Sequence, residues 1–286
     1  AGVIGALLVT VFGAALVITR DRGPSTPVLD RAALAVLLPA SAIATVFPIV
    51  VLVAGALPGA ASLAWVMRGD SANNVLFARE ILQRGGIAVG AGENPVPLPS
   101  SLIAVVASSG RDTVPADGLL LHDLIALSLV WAGLIALCCL LCGVVAAAIV
   151  RSVGGRLPAI GIASASAAIL PLSWIASGYA IESGFVNSHV VSVILLCAVL
   201  IALDGGARPV VVIGWRALAA LVVLAVWSPF VLVPMALAII VAASGVRSLR
   251  FAARGEVIVT VAAILLLLAY GAGVVLPSLL RQGVFL

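Results

Sequence analysis

The side chains of this chain that could move a proton or hold an anion are few, and they sit at the ends of apolar runs. Asp70, in Arg68-Gly69-Asp70-Ser71, heads a polar segment. Its carboxylate there can serve as a general base for a hydroxyl, or it can cap a helix by accepting the free amides of the first turn. Arg68, Arg79 and Arg84 lie in the same segment, and a guanidinium meets phosphate oxygens with two parallel donors. Arg79 and Arg84 fit equally well as the solvated, headgroup-facing side of a helix lying on a membrane. Glu182 and His189 flank the start of another apolar run, either as binding groups at a membrane edge or as an ordinary polar helix end. Asp112 and Asp117, beside Arg111, read as loop solvation, with a carboxylate ligand for a divalent metal as the alternative.

Other chemistries are disfavoured. The four cysteines, Cys138, Cys139, Cys142 and Cys197, all fall within apolar runs. Cys139 and Cys142 form a CxxC, but packing as small apolar groups fits their setting better than redox work. His122 and His189 fall at separate membrane edges, so no zinc site is expected from them, and no cofactor is called for.

The elements that must position Asp70 are legible locally. Asp70 precedes a stretch in which Val75, Phe77, Ala78, Ile81 and Leu82 share one arc of a helical wheel and Arg79, Glu80, Gln83 and Arg84 the other. This predicts an amphipathic helix in the membrane interface, stopped by Gly85-Gly86. Asn94-Pro95-Val96-Pro97-Leu98-Pro99 predicts extended, polyproline-like chain, with a second interfacial helix beginning at Ser100 to Ala107.

The whole chain explains why these groups gather at edges. It is 64% hydrophobic and 9% charged, with a mean hydropathy of +1.33. No soluble surface can be built from so little charge, so the expected fold is all-α, a polytopic transmembrane helix bundle forming one membrane domain over residues 1–286. All 15 basic residues are arginine, which points to a GC-rich, actinobacterium-like source. The net charge of +4 lies in short loops, where the positive-inside rule already puts it, so no nucleic-acid partner is implied.

Apolar runs at 2–19, 32–57, 124–150, 157–181, 188–203, 217–246 and 257–276 predict about eight passes, the run 217–246 being a proline-broken hairpin turning near Trp227 to Phe230. Residues 59–122 then form a large extracytoplasmic loop, holding or adjoining six of the eleven acidic residues. Arg216, beside Trp215, reads as a cytoplasmic interface anchor. The chain opens at Ala1 without a charged leader, so the first run reads as a pass rather than a signal peptide, and the chain as a trimmed or partial one.

With this loop in view, the chain resembles the GT-C superfamily of integral membrane glycosyltransferases, which use polyprenyl-phosphate sugars. There an acidic residue follows a transmembrane helix, an interfacial helix ends at a glycine, and a proline-bearing stretch leads on. Asp70 occupies the place of the family's catalytic base; the acidic residue that often stands two positions later is Ala72 here. Tyr179 to Leu203 and the Trp227-Ser228-Pro229 break resemble later parts of the family. The resemblance implies a plasma-membrane enzyme with a polyprenyl-phosphate-linked sugar donor, a cell-envelope glycan or glycolipid acceptor, and membrane lipids around it. A transporter or flippase, or a noncatalytic scaffold subunit, would share the composition. The broken hairpin favours transport, whereas ionisable groups confined to helix ends disfavour it.

Overall fold

The structure, a computed structural model, describes residues 31–56, 60–87, 94, 96–203, 208–244 and 253–281. The expected first pass at 2–19, its loop, the Gly205-Gly206 turn, Arg247 and Arg250 lie outside the described residues. Among the described residues every regular element is a helix. Five helical stretches are long and apolar enough to cross a bilayer: Leu34–Ala54, Ala116–Ser152, Leu157–Ser183, Val186–Leu203 and Arg254–Arg281. Large apolar side chains such as Leu38, Leu52, Ile239 and Ile258 point outward, as lipid rather than water requires of them.

The bundle is organised around one long helix. Helices α1 (Arg31–Ala44) and α2 (Val46–Ala56) lead to a 3₁₀ turn at Ala60–Val66. An outer layer follows, made of α3 (Ser71–Arg84) and α4 (Leu98–Ala107), and then α5, Leu119–Ser152. At 1.5 Å per residue α5 is about 51 Å long, beyond the ~30 Å of hydrocarbon, so its first turns rise into the outer layer. Helix α6 (Leu157–Ile169) packs on α5 and α1 through small residues. A side chain on Gly143 would strike Ala40 and Ser164, and Ser164 Oγ donates to the Val36 carbonyl at 2.6 Å. Close backbone approach of this kind is how membrane helices gain contact without a hydrophobic drive between them.

Past Pro171 the chain runs through a π-helical turn, Trp174–Gly178, and α7 (Tyr179–Glu182) to a turn at Gly184, then into α8 (Val186–Leu203). Helices α9 (Pro209–Leu224) and α10 (Leu232–Ser244) pack against each other around a 3₁₀ turn at Ser228–Val231. Helix α11 (Arg254–Tyr270) continues through a second π turn, Gly271–Val275, into α12 (Leu276–Arg281).

Several boundaries differ from the sequence reading: α4 begins at Leu98, inside the stretch expected to be extended, α5 begins at Leu119 rather than 124, and α9 begins before 217. Helix α9 begins at Pro209, whose missing N–H costs nothing at a helix start, rather than at 217. Arg216 therefore lies within this helix and is buried, not a solvated anchor.

The main core joins the outer layer to the bundle. Val75, Ala78 and Ile81 of α3, Ile103 and Ala104 of α4, Trp131 and Ile135 of α5, Val190 of α8 and Val223 of α9 belong to one cluster. Leu98 N–H also donates to the Ala225 carbonyl at 3.2 Å, pinning the start of α4 to the end of α9.

Candidate functional site

The head of α3 and the Ser183-Gly184 turn meet backbone to backbone. Asp70 N–H donates to the Ser183 carbonyl at 3.1 Å. Gly69 and Gly184 both have positive φ, +50° and +74°, and a side chain on either would collide with the opposite backbone: Ser183 for Gly69, Arg68 and Asp70 for Gly184. This interlock brings Glu182 to one edge with Arg68 and Asp70, which are distant from it in sequence. Asp70 is exposed there, and Arg68 Nη1 faces Glu182 Oε1 at 3.8 Å with both side chains about half exposed.

The Asp70 carboxylate does not cap the helix. Its backbone sits at φ −75°, ψ 0°, away from the extended geometry that turns an N-cap side chain back onto the first amides, and no side-chain cap bond forms. Ser71 Oγ, next along the chain in a fully buried residue, and Asn187 Oδ1, in the first turn of α8, are buried without a hydrogen-bond partner. The interlock thus presents an uncommitted carboxylate and a loosely paired guanidinium and carboxylate.

Further along α3 the geometry redistributes the expected roles. Arg79 is not on a purely solvated face: its Nε donates to Asp123 Oδ2 at 2.6 Å, and Arg111 Nη1 bonds the other oxygen, Oδ1. Asp123 is 1% exposed and sits in the outer turns of α5, so this carboxylate ties α3, the 111–113 turn and α5 together. Arg84 pairs with Glu80 one turn earlier at 2.6 Å. These two lie beside a small cavity of about 20 Å³, lined also by Phe77, Asn94 and Pro97, with room for about one water. His122 Nε2 bonds the Ala107 carbonyl at 2.9 Å, and Asp112 and Asp117 are exposed.

His189, in the first turn of α8, is buried, at 4% exposed. Trp131 Nε1, which can only donate, bonds His189 Nδ1 at 3.2 Å, so in the neutral ring Nε2 carries the proton and donates to Ser177 Oγ at 2.8 Å. Ser177 Oγ in turn donates to the Pro171 carbonyl, a group the broken helix would otherwise leave unpaired in lipid. The ring lines a cavity of about 370 Å³ with Cys138, Cys142, Ser188, Ser192 and Leu196.

Asp70, Arg68 and Glu182 therefore share one edge, Arg79 and Arg84 lie farther along α3, and His189 belongs to a buried network. Asp123, Ser71 and Asn187 carried no local signal beyond their polarity. Among the described residues no group of three or more His, Cys, Asp or Glu side chains is placed to share a metal ion. Comparison with family models, with curated proteins and with solved structures finds no match.

Proposed function

We propose that this chain is a multi-pass glycosyltransferase of the GT-C kind, moving a sugar from a polyprenyl-phosphate donor to a glycan or glycolipid acceptor of the cell envelope at the outer face of the plasma membrane. The observation that carries this reading is the Asp70 carboxylate, exposed at the head of α3 and engaged in no side-chain bond among the described residues. Capping alone would account for an aspartate at that position, but the bond that capping requires is absent.

In this reading Asp70 takes the proton of the acceptor hydroxyl as its oxygen bonds to the anomeric carbon. The bond from that carbon to the phosphate oxygen breaks, and the polyprenyl phosphate leaves with the electron pair. Arg68 is the guanidinium nearest Asp70 along the chain, and its 3.8 Å contact with Glu182 is weak enough to give way to phosphate oxygens. Arg79 orients α3 through Asp123, and Arg84 acts farther from the reacting centre. The two hairpin arms, counted as short passes, together with the five long spans and the N-terminal run give about eight passes with residues 59–122 outside. A divalent metal is compatible with the exposed Asp112 and Asp117, although nothing in the proposed step needs one.

The test is sugar transfer from radiolabelled polyprenyl-phosphate donors by membranes carrying the protein, wild type against Asp70→Asn at matched expression. The substitution should lower transfer by about 100-fold or more, with an unchanged melting midpoint because no cap bond is lost. Equal transfer in both would remove Asp70 from the mechanism. No transfer by wild type across a broad donor panel would favour the second reading, carriage of a lipid or small molecule, which rests on the intramembrane cavity beside His189.

A further inference from the structure

The cavity beside His189 has two unlike ends. Along α8 its wall begins with Ser188, His189 and Ser192 and goes on to Leu195, Leu196 and Val199, about 16 Å from first to last at 1.5 Å per residue. Ser188 and Ser192 stand one turn apart on the same face of the helix. Leu170, Ala176 and Ser192 of the wall are exposed, so among the described residues the cavity opens on the flank of the bundle. Beside that opening the apolar side chains of Ile169 and Ile175 are exposed as well.

At the polar end every hydroxyl and ring proton is already committed. Ser188 Oγ donates to the Phe185 carbonyl at 2.7 Å, and Ser192 Oγ donates to the Ser188 carbonyl at 2.8 Å. Ser177 Oγ donates to the Pro171 carbonyl, and the His189 ring gives its one proton to Ser177 while accepting from Trp131. A hydroxyl oxygen also carries two lone pairs, and among the described residues no donor is directed at Ser188 Oγ or Ser192 Oγ. This end of the cavity therefore offers acceptors and no spare donor. A carboxylate or an ester carbonyl would bring only more lone pairs against the serine oxygens. A cation would find no counter-charge, because no carboxylate lines the cavity. The group that fits is a neutral hydroxyl with its own proton to give.

We propose that this cavity binds a single-chain lipid alcohol, its hydroxyl donating to Ser188 or Ser192 Oγ and its alkyl chain lying along Leu195, Leu196 and Val199. The volume of about 370 Å³, at the ~30 Å³ that a water occupies in the liquid, has room for about a dozen non-hydrogen atoms, the size of a ten-carbon alcohol. The opening on the flank admits the chain from lipid and lets a longer tail remain outside. Lipid tails have no proton to offer the serine oxygens, so an alcohol gains a hydrogen bond there that the bare bilayer cannot supply. The site stands apart from the Asp70 edge. Holding the alcohol requires neither sugar transfer nor carriage across the membrane, so it stands or falls separately from both readings of function.

The experiment uses the full chain in phosphatidylcholine nanodiscs with a decanol that carries a photoreactive diazirine at its chain end, and labelled peptides are mapped by mass spectrometry. Wild type should show saturable labelling in peptides carrying Leu195 to Val199 or Leu170 to Ala176. Excess decanol should displace it, and decyl methyl ether, with the same chain and no proton to give, should displace it about fivefold less well at equal mole fraction in the bilayer, as the loss of one neutral hydrogen bond implies. Ser188→Ala combined with Ser192→Ala should weaken labelling by about the same factor. Ser152→Ala, which removes an exposed hydroxyl outside the cavity, should leave labelling unchanged. Absence of saturable labelling at these peptides overturns the proposal. Equal displacement by the ether overturns it too, and this comparison in wild type decides even where the double variant does not fold. Full labelling of a folded double variant overturns it as well, since the chain alone would then account for binding.

Discussion

Asp123 shows how much a residue's role depends on what lies opposite it. As a letter it closes a loop with five other acids; in the fold it is a buried carboxylate shared by Arg79 and Arg111. Removing its charge strands two guanidiniums, each with less than a third of its side chain exposed. Asp123→Asn is therefore expected to cost about 3 kcal/mol, the lower end for breaking a buried pair because the arginines can turn partly to water. Asp112→Asn and Asp117→Asn, both exposed, should stay within about 0.5 kcal/mol of wild type. Denaturant unfolding in detergent separates the cases, and equal costs at all three positions would show that the carboxylate does not tie the layer to the bundle. His189 teaches the same lesson: its partners Trp131 and Ser177 stand 58 and 12 residues away, too far for any local pattern to pair them.

At the scale of elements, α3 was the most legible part of the chain. Its apolar arc and its glycine stop follow from helix periodicity and terminus chemistry, and its start falls at Asp70 although the expected carboxylate cap is not formed. Gly85 adopts φ +71°, and Gly86 N–H donates to the Ile81 carbonyl at 3.0 Å. What periodicity could not provide is the partner of the helix start. Gly69 and Gly85 share a left-handed backbone, yet Gly69 abuts Ser183 while nothing lies within 4 Å of the position a side chain would take at Gly85. Gly85→Ala should thus cost about 1 kcal/mol, the backbone term alone, and Gly69→Ala or Gly184→Ala about 3 kcal/mol, because backbone overlap is added. Melting of the three variants decides between interlock and simple turn: similar shifts would mean that the two turns do not press together. In the interlock reading the two costly variants also displace Asp70 and lose transfer activity.

For the whole molecule, the proposed orientation has a direct readout. In a background with the four cysteines replaced, the thiol introduced by Asp117→Cys should react with a membrane-impermeant maleimide on intact cells. That introduced by Val153→Cys, exposed just past the inner end of α5, should react only after permeabilisation. The reverse pattern would turn the 59–122 segment to the cytoplasm and exclude an outer-face donor for Asp70.

Taken alone, the sequence determined that this is a helical membrane protein, where its long polar segment lies and where α3 begins and ends. Those properties follow from hydropathy, helix periodicity and the chemistry of helix termini, all of which act within a few residues of one another. Only the tertiary structure decided that Asp70 and Glu182 share an edge across two glycines, that Asp123 and His189 are buried within bonded networks, and that Arg216 is enclosed without a counter-charge among the described residues. Burial and pairing are set by which helices pack together, and in lipid that is governed by close fit and polar satisfaction between distant segments, information that no short window of the chain contains.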